Sequence, residues 1–313
     1  MNESFFAAVR VVMPMMLLML VGFCVRVQRI IDRPAMKEYD RVIFKIFMPV
    51  LLFKNIYEMD FSRGFMMKEM IFAAVCLLLN FAFSLTVPKL ITKDGNKSSV
   101  IGQAVVRGNY ILFGVTVSEA IFGEGNIGAV VMLGVLVVPA INIFSAIILE
   151  LNRSGKAKFG KLLIAVLKNP MIIGAIFAFI FKIFKIYIPV PVWSVIRSIA
   201  NSTTTISFIS LGVGLDMAEA KADIKPLLWG IFLRMIIVPA VFMPLSIMMG
   251  FRNQSLCAMM VLFAAPSAVA SYPMAVAMGA DGNLAGQLVC TTTILSIITI
   301  FLWTLFLKSF GLM

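Results

Sequence analysis

The chain has 313 residues, 61% of them hydrophobic and only 13% charged, against roughly 45–50% and 25% in a soluble domain. That balance excludes an ordinary globular enzyme or binding module and assigns the chain to the lipid bilayer. The net charge of +12 is spread over loops with no basic domain, which excludes nucleic acid as a partner, and the absence of histidine removes His-based metal sites, general bases and Ser-His triads.

A helical span needs about 20 mostly apolar residues. Ten windows meet that need, over 5–25, 39–57, 67–88, 99–121, 127–149, 163–182, 190–214, 225–249, 255–279 and 284–307. The first is too long for a signal peptide, carries Glu3, and runs into Val25-Arg26-Val27-Gln28 instead of a small-residue cleavage site, so it reads as an uncleaved span. The second contains Phe47-Met48-Pro49, and the third is apolar between its ends.

The fourth window is irregular, with Arg107, Gly108, Asn109 and Gly114 in mid-span. Glycine costs about 1 kcal/mol against alanine in a helix, and free backbone groups survive in a bilayer only beside a cavity or a partner. Counted from the basic end at 1.5 Å per residue, Arg107 lies about 14 Å deep, near the bilayer centre. A guanidinium there needs a substrate anion, a carboxylate from elsewhere, or the carbonyls of its own broken helix.

The fifth span leads into a short basic stretch, and Asn169-Pro170 stands within the sixth. In the seventh, Asn201 to Ser207 either lines a path or ties helices together, and Asn201 and Thr203 are the path candidates. Arg234 in the eighth precedes Pro239 and reads as structural. The ninth holds Ala265-Pro266-Ser267 and Ser271-Tyr272-Pro273, where proline removes an amide donor and frees a carbonyl one turn back. Thr291-Thr292-Thr293 in the tenth reads as packing. No carboxylate stands out at a midplane, so cation antiport is not expected, and no cofactor is implied. Cys24, Cys76, Cys257 and Cys290 lie in apolar segments and read as small core hydrophobes.

The two halves of the chain correspond. An offset of 157 carries Glu124-Gly125-Asn126-Ile127 onto Asp281-Gly282-Asn283-Leu284, Asn109 onto Pro266 and Thr116 onto Pro273. This predicts an all-α integral membrane protein of ten transmembrane helices in one domain over 1–313, with repeat 1 over 1–151, a cytoplasmic linker over 152–160 and repeat 2 over 161–313. Five spans per repeat is an odd number, so the second copy enters the bilayer inverted, as in secondary transporters whose helices are broken at matching places. Lys and Arg number fourteen on one side (in loops around 26–41, 89–97, 153–161 and 221–225) and six on the other. The positive-inside rule then puts both termini outside the cell.

In order along the chain, Phe47-Met48-Pro49-Val50-Leu51-Leu52-Phe53, Asn109 to Gly114, Asn169-Pro170, Ser210-Leu211-Gly212, Leu233-Arg234 to Pro239, Ala264-Ala265-Pro266-Ser267 and Leu295-Ser296 resemble the auxin efflux carrier family. That family includes plant PIN-type carriers and bacterial organic-acid permeases. The resemblance implies an elevator-type carrier with crossing broken fourth and ninth helices, a substrate carboxylate beside Asn109, the second crossing at Pro266, and a homodimer. The chain departs from the family pattern at Thr116, where proline is common, so Gly108 and Gly114 are expected to loosen the helix. The expected substrate-binding residues are therefore Arg107, Gly108, Asn109, Gly114, Pro266 and Ser267, with Asn201, Thr203, Tyr272 and Pro273 along the path. The expected activity is not enzymatic. It is transport of a small organic anion, a dicarboxylate or an auxin-like weak acid, across the plasma membrane. Without a coupling carboxylate the simplest mechanism is uniport, and an inside-negative potential drives a monovalent anion outward by about 2.3 kcal/mol per 100 mV. A sodium- or proton-coupled carrier of the bile-acid type is the alternative.

Overall fold

Helices build the fold because the sequence leaves a bilayer-facing backbone no other way to satisfy its own hydrogen bonds. The computed structural model describes residues 2–58, 66–153, 164, 167–215 and 224–313. Helix α1 spans Asn2–Val27, α2 Arg33–Val42, α3 Met48–Tyr57, α4 Met67–Ile91, α5 Gly95–Val106, α6 Tyr110–Phe122 and α7 Gly128–Arg153. After residues 154–163, the chain continues through α8 (Pro170–Ile183), α9 (Val190–Gly214), α10 (Ile224–Phe232), α11 (Val238–Met248), α12 (Asn253–Ala264), α13 (Ser271–Ala277) and α14 (Gly282–Ser309). Each expected window is helical over most of its described part, with the fourth and ninth interrupted. The expected linker lies outside the described residues except for its first two positions, 152 and 153, which end α7.

Among the described residues, four helical runs are long and apolar enough to cross a membrane by themselves: Met67–Ile91, Gly128–Leu151, Ile224–Met248 and Gly282–Ser309. Large apolar side chains such as Leu17, Leu78, Leu79, Phe177, Val195 and Leu302 face outward. That surface suits lipid and not water.

Local chemistry sets the helix ends. Asp32, Asp94, Asn169 and Asp281 each accept a first-turn amide, from Ala35, Asn96, Met171 and Leu284 respectively, all at 2.9 Å. The Asn169-Pro170 pair is thus an N-cap followed by the proline that a first turn tolerates. The two matched polar motifs are used differently. Gly123 and Gly125 turn the chain with φ of 93° and 79° ahead of α7, whereas Asp281 caps α14 directly.

Two prolines widen helices into π turns. Met48 N bonds Ile43 O across Ile43–Phe47, just before Pro49, and Val238 N bonds Leu233 O across Leu233–Ile237, just before Pro239. Each proline removes a donor and crowds the carbonyl four residues back, and the backbone yields by one residue. In the first π turn the Phe47 carbonyl accepts from Thr203 Oγ1 at 3.2 Å.

Helices α4 to α7 and α10 to α14 pack around a central crossing. Outside it, α2 and α3 lie along α9, and α8 packs on α3. Helices α1 and α9 approach closely at Gly22 and Gly212, where an added Cβ would stand 2.0 Å from Ile209 O and Met19 O.

Candidate functional site

The fourth and ninth windows each break near their middles, and the breaks meet. Between α5 and α6 the chain is non-helical at Arg107, Gly108 and Asn109; between α12 and α13 it is non-helical from Ala265 to Ala270. Gly108 and Ser267 form an antiparallel bridge. Asn109 N donates to Pro266 O at 2.9 Å and Ala268 N to Arg107 O at 2.9 Å. Asn109 and Pro266, 157 positions apart, are therefore direct partners.

A broken helix leaves carbonyls exposed at its C-terminal end, and here several have donors. Gln103 O accepts from Arg107 N at 2.9 Å, and Ala104 O from Ser267 Oγ at 3.2 Å. Arg234 supplies the most. Its Nη1 reaches Val105 O at 2.8 Å, Nε reaches Ala265 O at 2.8 Å, and Nη2 reaches Leu262 O at 3.4 Å. One fully buried guanidinium thus ties both half-helices together. Glycine at 108 makes room for it, since a Cβ there would lie 2.0 Å from Arg234 Nη2. Ser267 N donates to Thr292 Oγ1 at 3.1 Å, which anchors the crossing to α14.

On one side of the crossing lies a cavity of about 230 Å³. Arg107 to Leu112, Asn142 and Ala268 to Ala270 line one wall, and Leu52, Asn55, Met171 and Thr204 of the outer helices line the other. The first amides of α6, at Tyr110, Ile111 and Leu112, have no intrahelical acceptor and carry the positive end of the helix dipole. Asn109 precedes that helix without capping it through its side chain. Arg107 is buried and donates to Ala270 O at 3.1 Å, Met274 Sδ at 3.1 Å and Asn142 Oδ1 at 2.6 Å. Among the described residues no carboxylate pairs with Arg107 or Arg234. Arg107 and the α6 N-terminus therefore bring positive charge to the cavity wall, while Arg234 sits behind it on the carbonyl ends of α5 and α12.

This arrangement of a broken-helix crossing can be set beside known proteins. The model of a family described as membrane transport protein matches residues 7–304. The chain belongs to this family of membrane transporters. The likeness to the auxin efflux carriers read from the motifs is borne out, and the family is one of transporters and not of enzymes. Over 309 residues, 97% of this chain and 99% of the relative, the transporter family member is 20% identical to an uncharacterized transporter of Methanothermobacter thermautotrophicus.

Within this transporter, the residues expected from the sequence divide. Arg107, Gly108 and Asn109 line the cavity. Pro266 and Ser267 form the crossing, and the neighbouring Ala268, Val269 and Ala270 reach the cavity in their place. Gly114 does not loosen anything. It sits inside α6, where an added Cβ would stand 2.5 Å from Val130 Cγ1, so its role is close packing on α7. Thr116 is likewise within α6 and donates to Leu112 O at 3.0 Å. Asn201 is exposed on α9 and Thr203 is buried against Phe47 O; the next residue, Thr204, faces the cavity. Tyr272 lines a second cavity, of about 590 Å³, and Pro273 is buried within α13.

The sequence reading missed Asn55, Asn142 and Asp40. Asn55 and Asn142 are asparagines within otherwise largely apolar windows, a signal that was present. Asp40 looked like a span-end acid, yet it is fully buried and accepts a short hydrogen bond from Ser210 Oγ.

Proposed function

We propose that this transporter carries a small organic anion, held by its carboxylate in the cavity beside Asn109. The observation that carries the reading is the positive charge at the crossing. Among the described residues, Arg107 and the first amides of α6 have no acidic partner, and an anion supplies one. A cavity of about 230 Å³ suits a molecule of a few carbons, such as a dicarboxylate or an auxin-like weak acid.

The cavity lies between the crossing and the outer helices α3, α8 and α9, which supports alternating access by movement of one group past the other, as in an elevator. Hydrogen bonding between positions 157 apart, together with helix in every window, favours ten spans in two inverted repeats. The basic loops favour a plasma-membrane orientation with both termini outside. A homodimer fits the exposed apolar faces of the outer helices. Uniport presumes that no carboxyl lies inside the bundle. Asp40 does lie there, and this favours the coupled form.

Binding tests the reading directly. Malonate, malate, lactate and indole-3-acetate are titrated into purified protein by calorimetry. At least one should bind, and Arg107→Gln and Asn109→Ala should each weaken it tenfold or more, about 1.4 kcal/mol. Unchanged binding in both variants would place the anion elsewhere.

A further inference from the structure

Asp40 stands where three helices meet. It is fully buried on α2, which packs against both α9 and α13. Ser210 of α9 donates to its Oδ1, and the Tyr272 hydroxyl of α13 hydrogen-bonds the same carboxyl. Tyr272 also reaches the second cavity, whose lining includes Lys37, Arg41, Gly214 and Asn283. Its hydroxyl passes so close to Gly214 that a Cβ there would lie 1.8 Å away. The carboxyl is thus one hydrogen bond from an open cavity on the basic, expected cytoplasmic, side.

Among the described residues no cation pairs with it. On α2 itself, Lys37, Glu38, Tyr39 and Arg41 are exposed, with Arg41 paired to Glu38 at 2.5 Å. Lys45 in the adjoining π turn is exposed. On α9 the charged residue is Arg197, at the far end and bound to Glu58. On α13 the titratable group is Tyr272 itself. Arg26 of α1 donates to the Leu215 carbonyl. A buried carboxyl needs a counter-charge or a proton, and the elements packed here offer it hydroxyl groups.

We propose that Asp40, with Ser210 and Tyr272, is a proton-binding site whose occupancy is tied to movement of α13 against α2 and α9. The chemistry is reversible protonation: the carboxylate takes one proton from the cavity side and later releases it, with no other bond made or broken. Ser210 and Tyr272 come from opposite sides of the contact between the outer helices and the crossing. Sliding α13 breaks the Tyr272 contact and brings the carboxyl to water, where it gives up the proton. The inference rests on the carrier reading for its link to transport, and assigns the coupling ion as a proton.

Two readouts test it. In pH-difference infrared spectra of the protein in lipid, the wild type should show a carboxylic-acid C=O band that fades as pH rises. Asp40→Asn should lack the band, and Tyr272→Phe should shift its frequency through loss of one hydrogen bond. In liposomes loaded with a pH-sensitive dye, malonate or indole-3-acetate should move protons with wild type. Asp40→Asn should still exchange the anion, with the proton signal cut at least tenfold. Should Asp40→Asn fail to fold, Tyr272→Phe carries the infrared test. An infrared band unchanged in the variants, or wild-type anion flux with no proton movement, overturns the proposal. A titrating band with no flux of any anion overturns the carrier reading and leaves the proton site standing.

Discussion

The sequence offers Arg107 as a substrate-binding candidate and Arg234 as structural, and their surroundings bear on each. Arg234 is held entirely by the main-chain carbonyls of Val105, Leu262 and Ala265, so its function is to close the ends of two half-helices. Removing it leaves at least two buried acceptors unpaired, each worth about 1–3 kcal/mol. Arg234→Met should therefore destabilise the fold by about 3 kcal/mol or more, seen as a lower unfolding midpoint in detergent; a midpoint equal to wild type contradicts this role. Arg107 keeps one face on the cavity, so its truncation should weaken binding more than stability. Residue type and depth made both visible in the sequence. Their partners were not legible, because a backbone carbonyl in a distant helix leaves no mark on the local pattern. Asp40 was passed over for the opposite reason. Beside Lys37, Glu38 and Arg41 it looks like part of a solvated turn, and only the packing of α9 and α13 over it creates its burial.

Helix breaks were the most legible elements. Gly108 and Pro266 mark them in the sequence, and the structure breaks within a residue or two of each. The extent was misread, because a glycine in an apolar helix has two uses. Gly108 admits Arg234, whereas Gly114 admits Val130 to an unbroken helix. The departure from the family pattern at Thr116 can now be tested. Position 116 lies in the second turn of α6, where its amide belongs to the helical ladder. Thr116→Pro should cost about 3 kcal/mol and lower the yield of folded protein. A variant as stable as wild type would show that α6 tolerates a break there. The π turns before Pro49 and Pro239 were not foreseen. Proline predicts a kink, but which relaxation a helix takes depends on the packing around it, as where Thr203 bonds the Phe47 carbonyl within the first π turn.

At the scale of the molecule, the hydrophobic windows made the all-helical membrane class legible, since the bilayer imposes length and polarity directly. How the helices group was hidden: which surfaces pack depends on shape complementarity over residues far apart in sequence. The structure sets the crossing against α3, α8 and α9 with the cavity between them, and the proposed alternation would run along that surface. The most direct measurement is electrical current from purified protein in liposomes on a solid-supported membrane. Malate, malonate, lactate and indole-3-acetate are applied with and without proton and sodium gradients. The account predicts a current for at least one of these anions that grows with a proton gradient, ignores sodium and falls at least tenfold in Arg107→Gln. Silence for all four anions, or a current that Arg107→Gln leaves intact, would contradict it.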